Sequence, residues 1–326
     1  MKLRKQQKIK FKTDKFYITL SIMLITLAFS TIAQEITPPN DRPLLEDADI
    51  ILMTKEGVNK SLCPRDKNLR YEHTLVLIDA TTTVHPYVLS EIKEQFLSET
   101  AMRDSYPYHK FTIMRLVDKS PQKNQPIFAM CRPRTGDKGS PYKPDNTRTF
   151  MGPSLNDYQA LFGFFMENLD DAMKIENINA GMTLLGSPII EQIVQLERKR
   201  DLDFGSRSGY EYRKLILVSD LAQNTDRFNL LDKREVNGKN RTALCDQKKF
   251  QRKCPTYEQF IQLEEIQEWI VEYREEKLGK KLDLHIFYLN ARDPNLTKGI
   301  EPLWKSYFKD IGFTGKYRRT LQSDIQ

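Results

Sequence analysis

The sequence predicts an α/β domain in which a mostly parallel sheet is covered by helices on both faces. Two observations carry that expectation. Short runs such as HTLVLID (His73 to Asp79) and RKLILVSD (Arg213 to Asp220) are apolar almost throughout. Such runs suit strands buried on both faces, whereas a strand with one wet face alternates. Between them lie segments of helical periodicity, which supply the crossovers that parallel pairing requires.

Each element follows from its local pattern. His73 to Asp79 is the first strand, and a helix is predicted from about Pro86 to Thr100, with Val88, Ile92 and Phe96 on one face. His109 to Asp118 and Pro126 to Cys131 are the second and third strands. The seven residues between them, with Pro121 and Asn124, suit an antiparallel hairpin and are too few for a crossover. Residues 132–153 are polar and rich in Gly and Pro, hence an excursion. A helix is expected from Ser154 to about Lys174, with Tyr158, Leu161, Phe162, Phe165 and Leu169 at helical spacing. Another begins at Ser187-Pro188, a cap followed by a residue suited to the first helical position. Arg213 to Asp220 is the fourth strand. A long helix is predicted from Tyr257 to Leu278, opened by a Thr256/Gln259 capping box and closed by Gly279. Leu282 to Asn290 is the fifth strand and Leu303 to Ile311 the last helix.

The 326 residues are 39% hydrophobic and 29% charged, with 14 Gly and 16 Pro, a composition outside the collagen-like, low-complexity and wholly disordered classes. The net charge of +7 points at first to nucleic acid. Residues 1–33, however, hold seven basic residues and one acidic, so only +1 belongs to the rest of the chain. A nucleic-acid partner is therefore not expected, because binding it needs a basic stripe on the folded body. The same N-terminus, basic from Lys2 to Lys15 and then uncharged and largely apolar for eighteen residues from Phe16 to Ala33, reads as a cleaved signal peptide or an uncleaved membrane anchor. Either places the remainder outside the cytoplasm, secreted or tethered and facing the periplasm or cell exterior. Residues 34–62 form a linker and N-terminal extension, stiffened by Pro38, Pro39 and Pro43. Cys63, Cys131, Cys245 and Cys254 all lie on the exported side, where an even count favours two bridges over four reduced thiols.

In a sheet of this kind ligands gather at the carboxyl ends of the strands. Asp79-Ala80-Thr81-Thr82-Thr83 follows the first strand and Ser219-Asp220 ends the fourth. With these placements the sequence resembles a von Willebrand factor A-like domain over roughly residues 70–315. The resemblance implies a Rossmann-like sheet of order 3-2-1-4-5, third strand antiparallel, in a domain spanning 63–326 with insertions at about 132–153 and 221–256. It also implies one Mg²⁺ or Mn²⁺ held by a DxSxS motif after the first strand, a loop hydroxyl, and an Asp after the fourth strand. The matching positions are Asp79, Thr81 and Thr83, then Ser187 in Gly186-Ser187-Pro188, then Asp220, with Thr standing at both motif serines. The open metal position takes an acidic side chain of a protein partner. In that topology Cys63 and Cys131 share the lower edge of the sheet and Cys245 and Cys254 the upper rim, which gives the pairings Cys63–Cys131 and Cys245–Cys254.

Each site residue also has a plainer role: Asp79 and the threonines in their own turn, Ser187 as a helix cap. The segment 221–256 carries nine basic and four acidic residues, a cationic lobe beside Asp220 suited to an acidic protein or an anionic envelope surface. No nucleophile elbow, phosphate loop or zinc-protease motif occurs. With four histidines, acid–base machinery is sparse; His85, near the Asp79 turn, reads as a helix-start residue. The expected function is thus a non-enzymatic, exported or membrane-anchored protein-binding module. A metal-dependent hydrolase of the cell envelope is the alternative.

Overall fold

The computed structural model describes residues 57–134, 155–179, 186–199, 202–225, 254–268, 282–289 and 294–310, with 230, 234–236, 239–241 and 317–318, apart from Thr82, Lys119, Ser206 and Glu265. All of them belong to the unit Leu45–Gln326. The predicted signal or anchor, the linker up to residue 56, most of the 132–153 excursion and most of the cationic segment lie outside the described residues.

The strands are β1 (Glu72–Asp79), β2 (Lys110–Leu116), β3 (Pro126–Cys131), β4 (Tyr212–Ser219), β5 (Arg234–Val236), β6 (Lys239–Arg241), β7 (Leu282–Tyr288) and β8 (Tyr317–Arg318). Six of them form one sheet in the order β3-β2-β1-β4-β7-β8, while β5 and β6 make a separate antiparallel ribbon. Only β3 runs antiparallel in the main sheet. The predicted order 3-2-1-4-5, whose fifth strand is β7, is the observed one, with the short β8 added at its edge.

Alternation along the central strands divides the core into two layers. Leu75 and Leu77 of β1, Leu215 and Leu217 of β4, and Leu284 and Ile286 of β7 pack on one face with α5 (Ile189–Arg198) and α7 (Pro294–Asp310). Val76, Ile78, Ile216, Val218 and Phe287 face the other side, against α1 (Pro86–Ile92) and α3 (Leu155–Ala172). Each such side chain, taken from water into the core, contributes about 1.5–3 kcal/mol before chain entropy is set against it. Between these helices lie α2 (Glu99–Asp104), α4 (Ile175–Asn179) and α6 (Tyr257–Phe260).

Four helical expectations need correction. The helix expected over 86–100 is interrupted: α1 passes into a π-helical turn, Lys93–Leu97, and Ser98 leaves helical geometry to cap α2, its Oγ accepting the Ala101 N–H at 3.2 Å. The helix expected from Tyr257 keeps its Thr256/Gln259 capping box, but the described residues turn at 261–263 before helix resumes at Glu264. The last helix starts at Pro294 and not at Leu303, with Pro302 inside it. Finally, Ser187 does not cap α5. Pro188 holds that position, and the side-chain amide oxygen of Gln223, Oε1, accepts the Ile190 N–H at 3.0 Å.

Cys63 and Cys131 form a disulfide, as the edge placement predicts. Cys254 is also disulfide-bonded. The predicted Cys245–Cys254 pairing involves Cys245, which lies outside the described residues.

A hydroxyl-ringed carboxylate at the carboxyl edge of the sheet

Asp79 is the last residue of β1 and is fully buried. Two parallel neighbours fix its position: Leu116 of β2 pairs with it, and on the β4 side Ile78 pairs with Val218, which sets Ser219 alongside Asp79. Strand order reverses between β1 and β4, so Asp79 stands at the switch point where open α/β sheets bind ligands.

Both carboxylate oxygens are occupied. Oδ1 accepts the Thr81 hydroxyl at 2.6 Å and the Thr81 backbone N–H at 3.1 Å. Oδ2 accepts the Ser187 hydroxyl at 2.6 Å and the Ser219 hydroxyl at 2.8 Å. Three separate segments thus converge on one carboxyl group with charge-assisted hydrogen bonds, the stronger kind. No Lys or Arg among the described residues pairs with it. The nearest cationic residue along β2, Arg115, donates to the carbonyls of Asn177 and Ile178 at the end of α4. Burial lowers its pKa below the ordinary guanidinium value.

The loop carrying Ser187 is held by its backbone. Gly186 has φ +145°, a conformation side chains rarely adopt, and Ser187 exchanges two backbone hydrogen bonds with Asn224 at 2.8 and 3.0 Å. The segment after β4 is held just as firmly. Leu221 has φ +58°; its N–H donates to Ser219 Oγ at 2.8 Å, and its carbonyl accepts the Trp304 indole N–H of α7 at 2.8 Å.

The five residues expected at the site therefore divide. Asp79, Thr81 and Ser187 come together. Thr83 is exposed four residues along the loop, and Asp220 turns to its own backbone, accepting the Ala222 N–H at 2.9 Å. Ser219, which the sequence reading passed over for Asp220, takes the inner place. Strand register carries the signal for it: in a parallel pair the residue level with Asp79 is Ser219, and Asp220 falls one step beyond. His85 accepts the Tyr87 N–H at 3.3 Å and opens α1, the helix-start role expected of it.

Among the described residues no three His, Cys, Asp or Glu side chains gather as a metal-binding group. The donors at the site are instead one carboxylate and neutral hydroxyls, the hard oxygens that Mg²⁺ and Mn²⁺ take and zinc sites rarely use. In chemistry, then, the donor set fits the cation that the family resemblance implies. No protein-family model matches the chain, and no curated protein matches its sequence.

Proposed function

We propose that this chain is an exported binding module similar to von Willebrand factor A-like domains, which recognises an acidic side chain of a protein partner through a hard divalent cation at Asp79. One observation carries the reading: a fully buried carboxylate stands at the sheet's switch point, ringed by hydroxyls from three segments and, among the described residues, paired with no cationic side chain. Burying such a group is costly, and a cation offsets that cost where no Lys or Arg does. When bound, Mg²⁺ or Mn²⁺ supplies the positive charge and open coordination position that an incoming carboxylate requires. Thr81 and Ser187 would be the hydroxyls best placed to hold it and Asp79 would supply the balancing charge, while Thr83 and Asp220 would have to turn in from the rim to join them. The apolar run Phe16–Ala33 either tethers the module or directs its secretion, and the Cys63–Cys131 disulfide agrees with an oxidising compartment.

Crosslinking in intact cells, with and without a membrane-permeant chelator, tests the proposal. A partner that is captured from wild type and lost with chelator or with Asp79→Asn supports it. Capture indifferent to both contradicts it, and metal-stimulated turnover on phosphate or ester substrates favours the envelope hydrolase.

A further inference from the structure

The opposite edge of the sheet carries a group of tyrosines that the Asp79 site does not use. Tyr71 precedes β1, Tyr106 lies in the turn before β2, and Tyr212 opens β4. The rings of Tyr71 and Tyr106 have centroids 3.9 Å apart at an interplanar angle of 42°, and those of Tyr71 and Tyr212 are 5.0 Å apart. Ordinary aromatic pairs sit at about 4.5–7 Å, so the first pair is unusually close. Tyr106 and Tyr212, close beside it, hold the Tyr71 phenolic proton more tightly than in a free phenol. Rings whose centroids are this close have carbons of the two phenols in contact. The backbone fixes the arrangement, since the N–H groups of Glu211 and Tyr212 both donate to the Tyr71 carbonyl at 3.0 Å. Tyr71 and Tyr106 are half-buried, whereas Tyr212 is 49% exposed.

We propose that Tyr71 and Tyr106 are a site of oxidative modification, joined as an intrachain dityrosine by a one-electron oxidant of the haem peroxidase and hydrogen peroxide class, with Tyr212 as the solvent-facing point of entry. Oxidation of Tyr212 leaves a phenoxyl radical, which takes a hydrogen atom from the adjacent Tyr71, whose ring centroid is 5.0 Å away. A second one-electron oxidation produces the radical on Tyr106. The two radicals form a carbon–carbon bond between positions ortho to the hydroxyls, and each ring regains aromaticity as its ortho hydrogen moves to oxygen through solvent. In sum, two C–H bonds are exchanged for one C–C bond, and the two electrons and two protons released reduce one hydrogen peroxide to two waters. The product joins the chain entering β1 to the turn entering β2, at the edge where Cys63–Cys131 already forms a covalent link. The proposal does not depend on the Asp79 reading.

The test treats dilute full-length protein with horseradish peroxidase and hydrogen peroxide and isolates the monomer. Expected are dityrosine fluorescence, a mass lower by two hydrogen atoms, and one crosslinked peptide pair containing Tyr71 and Tyr106. Tyr71→Phe and, as a second variant, Tyr106→Phe each keep an aromatic ring and abolish the monomer signal. Tyr212→Phe slows its appearance several-fold, and Tyr87→Phe, at an exposed position on α1, leaves it unchanged. Dityrosine found only between chains, a monomer crosslink that omits Tyr71, or undiminished fluorescence in Tyr71→Phe overturns the proposal.

Discussion

Ser219 and Thr83 separate what holds the Asp79 site together from what it binds. Ser219 is fully buried, donates to Asp79 and accepts from the Leu221 N–H, so Ser219→Ala leaves two buried groups each short of a partner. A loss of about 1–3 kcal/mol is expected, read as a lower urea midpoint with or without metal. Thr83 is exposed. Thr83→Ala should leave the midpoint unchanged while weakening Mn²⁺ binding several-fold; equal binding by variant and wild type excludes it as a ligand. At the other end of the sheet His73 and His109 are buried, with Nε2 of each against a threonine hydroxyl, Thr112 at 2.9 Å and Thr74 at 2.8 Å. Desolvation, together with Lys110 beside His73 and with Lys214 and Arg132 beside His109, holds both pKa values well below the ordinary imidazole value. His109 Nδ1 lies 3.4 Å from Glu72, but a neutral ring makes no ion pair there. Below about pH 6.5 the unfolded chain takes up protons that these native rings refuse. Their contribution to stability is therefore full above that pH and falls as the pH drops through it. Urea midpoints from about pH 8 to 5 should decline, with the two imidazole resonances not titrating near 6.5; a midpoint that rises on acidification contradicts the assignment.

At the scale of elements, the disulfide is the clearest case of a feature read from sequence and then found. It spans 68 residues, and Cys63→Ala with Cys131→Ala should cost about 2–5 kcal/mol, measured as a lower denaturation midpoint without change in the native circular dichroism spectrum. Strands were readable because apolar runs such as Leu75 to Ile78 and Leu215 to Val218 must be buried on both faces, whatever lies around them. Helix continuity was not. Val88, Ile92 and Phe96 keep helical spacing across a π-helical turn, so hydrophobic periodicity passes unbroken over the place where Ser98 starts a new helix. The last helix, expected from Leu303 to Ile311, begins nine residues earlier at Pro294 and carries Pro302 inside it, where burial of Ile300, Leu303 and Trp304 offsets the missing N–H. At the site, the family resemblance named Asp79, Thr81 and Ser187, and these three are the ones hydrogen-bonded together. Ser219 was missed because choosing between it and Asp220 requires strand register, which the sequence alone leaves free by one residue.

For the whole molecule, the sheet order places the Asp79 group at one edge and the disulfide, histidine and tyrosine groups at the other. The carboxyl edge holds polar side chains gathered from β1, the Ser187 loop and β4, while the amino edge is tied covalently. A ligand that binds only the native state adds stability, about 2.7 kcal/mol at a hundred times its dissociation constant. Cation binding at Asp79 should therefore appear as a raised melting midpoint as well as in calorimetry. The most direct measurement is titration calorimetry of the wild-type chain and of Asp79→Asn with Mg²⁺ and Mn²⁺, each paired with a melt. One saturable site in wild type, abolished in Asp79→Asn and reversed by chelator together with the gain in midpoint, is the predicted result. No heat at millimolar cation, or equal heats in the two proteins, contradicts it and leaves Asp79 as a buried hydrogen-bonding centre for its strand ends.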